Sequence, residues 1–319
     1  MSEVIVTRRL VKRYGGRAVL DRLDLRVPRG AIYALLGDNG AGKTTTMKLL
    51  TGQVPPDGGS AELLGEDCWS AALALRHRVG YVPERPRFYD WMTVGETGRF
   101  AAAFHRPGYL GRFLDWADRL DLDLSKRLRD LSKGGYARVG LALALAVDPE
   151  VLLLDEPTSG LDLLTRREFL SSMVELAGEG KTVLICTHQI AEVERVASHV
   201  GFLARGKLVL TATAEELKRG FRRLRLRYEG APPDPNSVGT VLQRNGSGRQ
   251  WEVVARDCDP AAVAALRDSP NVTDFEEAPL SLEEIYTVLM ARAARPRQGR
   301  PEWDEEDVPH AAGAEEERL

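Results

Sequence analysis

Between residues 3 and 204, short apolar runs alternate with longer amphipathic stretches. AIYALLG (31–37), VGYVP (79–83), VLLLDE (151–156) and TVLICTH (182–188) are compact and bounded by glycine, proline or charge. Such runs suit strands buried on both faces, and the intervals between them are long enough for helices. The pattern predicts an α/β sheet with crossover connections. Residues 86–147 carry helical spacing with no strand-like run, which predicts a helical insertion between two strands. A second unit begins near Arg219. There FRRLRLRYEG alternates apolar and basic residues, APPDPNS interrupts the chain with three prolines, and RNGSG between TVLQ and QWEVVA signals a hairpin. The alternation reads as a strand with one solvated face, in preference to a membrane-surface or RNA patch. A helix over 260–267, a strand over 272–275 and a helix from Ser281 complete a small α/β appendage. Ser281 and Glu284 form a capping box ahead of IYTVLM. From Ala291 onward, arginines and then acidic runs lack apolar periodicity and predict a disordered tail. The expected division is 1–218, 219–290 and 291–319.

Composition narrows the class. The 319 residues suggest about two domains, and 43% hydrophobic with 29% charged residues is the balance of an ordinary soluble protein. Forty-four basic against 47 acidic residues leave a net charge of −3, which argues against a chain held to nucleic acid mainly by counterion release. The longest apolar stretch, 141–147, is far short of a membrane span. MSEVIVTRRL lacks the apolar segment of a signal peptide, so a cytoplasmic location is expected. Cys68, Cys186 and Cys258 are too sparse for a disulfide framework or a metal site and read as reduced thiols. His77, His105, His199 and His310 show no ligand-like clustering and read as surface or structural residues.

Chemistry enters at Gly37-Asp38-Asn39-Gly40-Ala41-Gly42-Lys43-Thr44, which matches G-x4-G-K-S/T between an apolar strand and the helical TTTMKLLTG. Glycines let backbone N–H groups converge on phosphate oxygens beside a helix N-terminus. Lys43 is then placed for β- and γ-phosphates and the Thr44 hydroxyl for Mg2+, with Thr45 following in the same site. VLLLDE ends in two adjacent carboxylates. After a P-loop, Asp155 is expected to hold Mg2+ through water and Glu156 to polarise an attacking water.

With these motifs in place, the first 220 or so residues resemble an ABC transporter ATP-binding subunit. Leu131-Ser132-Lys133-Gly134-Gly135, 20 residues before Val151, resembles the LSGGQ signature, and Ser159-Gly160-Leu161-Asp162 the D-loop. Thr187-His188 resembles the switch histidine, Tyr14 the aromatic that stacks on adenine, and Tyr81-Val82-Pro83-Glu84 the Q-loop. Two departures stand out. Lys133 and Gly135 replace a glycine and a glutamine of the signature, while Ser132 and Gly134 keep a hydroxyl and a close backbone approach. Glu84 replaces glutamine, so the loop brings a negative charge that can ligate Mg2+ or water. These variants are similar to the ABC-2 type exporter branch, whose ATPase and membrane subunits are separate chains.

The resemblance implies a P-loop NTPase core of ABC ATPase type, with an antiparallel β subdomain and the helical insertion, using ATP and Mg2+. It implies a homodimer closing head to tail on two ATPs, each held by one P-loop and the partner subunit's signature. Glu156 is then the general base, with His188 and Lys43 at the γ-phosphate. A separate permease would hold the ATPase against the inner face of the cell membrane and select the cargo; no nucleic acid partner is expected. An importer ATPase shares this chemistry. A non-transport ATPase acting on nucleic acid or ribosomes is disfavoured by the single P-loop and the lack of long heptads. Phe88, Tyr89 and Trp91 after the Q-loop fit either the core of the helical insertion or a groove for a membrane partner.

Overall fold

A computed structural model describes residues 2–294 apart from 232. The amino-terminal part runs β1 (Glu3–Tyr14), β2 (Arg17–Pro28), β3 (Ile32–Leu36), α1 (Lys43–Leu50), β4 (Gly58–Leu63), β5 (Glu66–Asp67), α2 (Ala72–Leu75) and β6 (Val79–Val82). Helices α3 (Val94–Ala102), α4 (Tyr109–Arg119) and α5 (Lys133–Leu145) follow. Then come β7 (Val151–Asp155), α6 (Leu163–Gly178), β8 (Thr182–Thr187), α7 (Ile190–Val193), β9 (His199–Ala204), β10 (Lys207–Thr213) and α8 (Ala214–Gly220). The remainder is β11 (Phe221–Tyr228), β12 (Thr240–Ser247), β13 (Gln250–Arg256), α9 (Pro260–Arg267), β14 (Val272–Pro279) and α10 (Leu282–Ala294).

The four apolar runs are β3, β6, β7 and β8. They lie in one six-stranded sheet of order β10-β9-β3-β8-β7-β6, parallel except for the β10 edge. All residues of β3, β7 and β8 are buried, as expected for strands covered on both faces. Parallel register aligns their carboxyl ends, so the loop after β3, the carboxylates after β7 and Thr187 of β8 emerge at one edge. A second sheet, β2-β1-β4-β5, is antiparallel and packs its apolar side over the P-loop strand: Leu20, Leu23 and Leu25 share a core with Tyr33, Leu35 and Met47. The helical insertion is α3–α5, centred on Phe113, Val94 and Val139.

The appendage is an antiparallel sheet of order β12-β13-β11-β14 with α9 against it, around Trp251, Leu224 and Val253. Arg223, Arg225 and Arg227 of β11 share one face, where Arg225 pairs with Glu252 and Glu276, whereas Arg222 falls on the other face beside Leu224 and pairs with Glu277. The hairpin turn falls at Gly248–Arg249, so most of RNGSG continues β12; Gly248, at φ +59°, supplies the left-handed position. Helix α10 turns back onto the larger sheet. Leu282, Ile285 and Val288 are buried in the same core as Leu36, Ile185 and Phe202. The tail expected from residue 291 differs at its start, because 291–294 continue α10; ARAA is a good helix-forming sequence. Residues 295–319 lie outside the described residues.

Candidate functional site

The P-loop is the connection from β3 to α1. Gly37 leaves the strand where a β-carbon would sit 2.5 Å from the Leu203 carbonyl oxygen. Gly42 caps α1 at φ +116°, with Leu20 2.6 Å from where a β-carbon would be. A side chain at either position would displace the loop or the strands beneath it. Lys43 opens α1 and is nearly buried. Its ammonium donates to the carbonyls of Gly37 (2.6 Å) and Asp38 (3.3 Å) and pairs with Glu156 at 3.2 Å.

Glu156 follows β7 at φ +48°, a left-handed conformation that side-chain-bearing residues adopt at a cost of about 1–3 kcal/mol. Its N–H donates to the Cys186 carbonyl (2.8 Å), which fixes the turn. The carboxylate is fully engaged. Oε1 meets Lys43 and His188 Nδ1 (2.9 Å), and Oε2 accepts from the Thr187 hydroxyl (3.0 Å) and the His188 N–H (3.4 Å). Asp155 beside it is the opposite case: both carboxylate oxygens are buried without a hydrogen-bond partner. Burial pushes its carboxyl up to about 6, opposed by the Thr44 hydroxyl and reinforced by the charges of Glu156 and Glu84. A buried, unpaired carboxylate next to a hydroxyl suits a hard divalent cation. Among the described residues no cluster of three or more acidic, histidine or cysteine side chains is placed to hold a metal ion. Glu84 is exposed and pairs with Arg85 at 3.5 Å.

The signature and D-loop residues form a second cluster. Ser132 is the N-cap of α5, its hydroxyl accepting from the Gly135 N–H (3.1 Å), and Lys133 begins the helix. Asp162 caps α6, accepting from the N–H groups of Leu164 and Thr165. The two caps are neighbours: a β-carbon on Gly134 would meet Thr165 at 3.4 Å, and one on Gly160 would meet Lys133 at 3.5 Å. Leu161 is buried in the sheet core, behind the turn, and Leu131 is half-buried on the helical insertion. Tyr14 ends β1, half exposed, with the Lys12 ammonium 5.6 Å from its ring centre.

Comparison with known proteins reaches the same place. Residues 20–159 match the family model described as ABC transporter. The daunorubicin/doxorubicin resistance ATP-binding protein DrrA of Streptomyces peucetius is 31% identical over 96% of this chain and 98% of its own length. The chain belongs to the ABC transporter ATP-binding proteins. The bacitracin transport ATP-binding protein BcrA of Bacillus licheniformis is 34% identical, covering 79% of this chain and 83% of its own. A Nod factor export ATP-binding protein of Ralstonia nicotianae is 33% identical over 90% and 93%. Among solved structures, an ATP-binding subunit of an ABC transporter aligns with TM-score 0.62 and 29% identity over 68% of this chain and 92% of its own.

As an ABC ATPase the chain binds ATP and hydrolyses it, and its α/β cassette is the fold of the family. Among the described residues no helix is long and apolar enough to cross a membrane. The aromatic trio divides: Phe88 packs on Tyr136 within the insertion, whereas Tyr89 and Trp91 are exposed beside Phe100 and Phe104. Sequence reasoning misses two features of the site. Thr187 serves as a donor to Glu156, signalled only by its adjacency to His188. Tyr286, far along the chain, donates to the Asp38 carboxylate of the P-loop (2.8 Å), and no local pattern announces it.

Proposed function

We propose that this chain is the ATP-hydrolysing subunit of an ABC-2 type exporter, working as a homodimer on a separate membrane permease. The observation that carries the reading is the cluster of Lys43, Glu156, Thr187 and His188 around the P-loop, with Asp155 unpaired beside it. ATP entering the loop meets converging N–H groups and the Lys43 ammonium. Moving Lys43 from Glu156 to the β- and γ-phosphates frees the carboxylate to accept a proton from the attacking water. Thr187 and His188 keep it aimed. Thr44 and Asp155, with Glu84 alongside, would hold Mg2+, which supplies neutralisation of phosphate charge. Tyr14 offers its ring to adenine, and residues 37–45 form the phosphate site.

Ser132 and Gly134, with the D-loop at 159–162, are the surface offered to the second ATP of the dimer. ATP binding closes the pair and loss of the γ-phosphate contacts lets it open, a population shift driven by a ligand that favours one state. Relatives named for daunorubicin resistance, bacitracin transport and Nod factor export support export as the work performed. The exposed Tyr89, Trp91, Phe100 and Phe104 supply an aromatic surface for the permease, which would bring the ATPase to the inner face of the membrane. Residues 219–290 are read as an accessory unit bracing residues 1–218.

The test has two parts. Lys43→Ala in the purified chain should reduce Mg2+-dependent ATP hydrolysis to background; wild-type turnover in that variant would overturn the site. The chain should sediment with membranes only when a multi-span permease is co-expressed. Sedimentation independent of every candidate permease argues against the transport reading.

A further inference from the structure

Helix α10 is anchored at several independent points. The Ser281 hydroxyl and Glu284 carboxylate cap it reciprocally. Glu284 also pairs with Arg223 of β11 at 2.6 Å, and the Leu282 N–H donates to Glu194, just past α7, at 3.2 Å. Leu282, Ile285 and Val288 seal one face into the main core. These contacts fix both the rotation and the height of the helix. They leave Tyr286 on the edge nearest the P-loop, its ring 5.6 Å from that of Phe202. Phe202 pairs with Leu36, the last residue of the P-loop strand, so the tyrosine is braced on the strand that carries the loop.

From that position the Tyr286 hydroxyl donates to Asp38 Oδ1 at 2.8 Å. The Asp38 carbonyl accepts from Lys43 and from the Ala41 N–H, so one residue links the phenol to the loop's lysine. A carboxylate in the second position of a phosphate-binding loop is a liability, because a triphosphate brings several negative charges to the same place. The hydrogen bond from the phenol to the Asp38 carboxylate disperses its charge and lowers that repulsion. Burial and the Asp38 charge push the phenol above its ordinary value, so it remains a donor throughout the neutral range.

We propose that Tyr286 is a positioning residue for the P-loop, through which α10 and the accessory sheet set the affinity of the site for ATP. The proposal rests on the reading of residues 37–45 as the phosphate site. Tyr286→Phe keeps the ring contact and removes only the hydroxyl. In the full-length protein, calorimetric titration with ATP and Mg2+ should show Kd raised about three- to tenfold, the scale of one lost hydrogen bond to a charged acceptor near the surface. The steady-state KM for ATP should rise with it, while kcat changes little. In an Asp38→Ala background, Tyr286→Phe should add no further weakening. Equal ATP affinity in wild type and Tyr286→Phe overturns the proposal. So does an equal effect with and without Asp38, or a lower Tm with unchanged Kd, either of which marks a purely structural tyrosine. If wild type itself does not bind ATP, the assignment of the phosphate site falls first and the proposal with it.

Discussion

At the scale of single residues, Glu156 concentrates the chemistry. Its left-handed backbone turns the carboxylate back toward the P-loop, where a lysine, a threonine hydroxyl and a histidine compete for two oxygens. Glutamine in its place keeps the shape and the hydrogen-bonding capacity but cannot take a proton. Glu156→Gln should therefore lower kcat about 10²–10⁴-fold, or about 3–5 kcal/mol of barrier, with ATP binding retained. Single-turnover hydrolysis beside equilibrium nucleotide binding checks both halves. Glu156 and His188 are legible from sequence because each follows an apolar strand, and Lys43 because it opens the helix after the glycine-rich loop; parallel strands deliver these segments to one edge. Hydrogen bonds between distant segments are not legible in the same way. The Thr187 hydroxyl and the Tyr286 phenol find their partners through packing, which no spacing rule encodes.

At the scale of elements, the buried strands are plain in the sequence and the amino-terminal antiparallel sheet is not. β1 and β2 are 12 residues each, yet their alternation is broken where register shifts occur between Thr7 and Leu10, with Arg9 at φ +46° and Arg22 at φ +53°. An extra residue in a strand reverses the phase of every side chain beyond it, so EVIVTRRLVKRY reads as noise to a period-two search. That sheet is reached only through the resemblance. The return of α10 is hidden for a different reason: IYTVLM announces an apolar face but not which surface it covers. The helical insertion carries a further consequence, at the end of α3. His105 stacks on Tyr109 with ring centres 4.3 Å apart. Burial, then the charges of His77 and Arg112, hold its imidazole below the ordinary histidine range. The folded state thus binds this proton less readily than the unfolded chain, so stability is present above the unfolded histidine value and declines as pH falls through it. Between pH 7.5 and 5.5, the Tm of wild type should fall further than that of His105→Phe, which keeps the stack without the titrating ring. Parallel pH profiles in thermal melts would reject the assignment.

At the scale of the whole molecule, the proposed nucleotide site falls into two separate clusters of one chain. Lys43, Glu156 and His188 pair with one another beside the P-loop and leave Asp155 unpartnered, while Ser132 and Asp162 cap neighbouring helices in a separate cluster. Just beyond the D-loop, Leu163 and Leu164 are 77% and 68% exposed, unusual for consecutive leucines unless something covers them. In the proposed homodimer, a second copy of the chain turned head to tail sets each signature against the other's phosphates and covers both leucine pairs by one isologous contact. Closure then depends on the γ-phosphate persisting, which links this prediction to the residue scale. With hydrolysis blocked in Glu156→Gln, ATP and Mg2+ should double the apparent mass in light scattering, and chelation with EDTA should return it to a single chain. Leu164→Glu in the same background should bind ATP and stay single, because the charge disrupts the leucine surface without touching the P-loop. A Glu156→Gln protein saturated with ATP yet still single would mean that the second signature comes from a different ATPase chain.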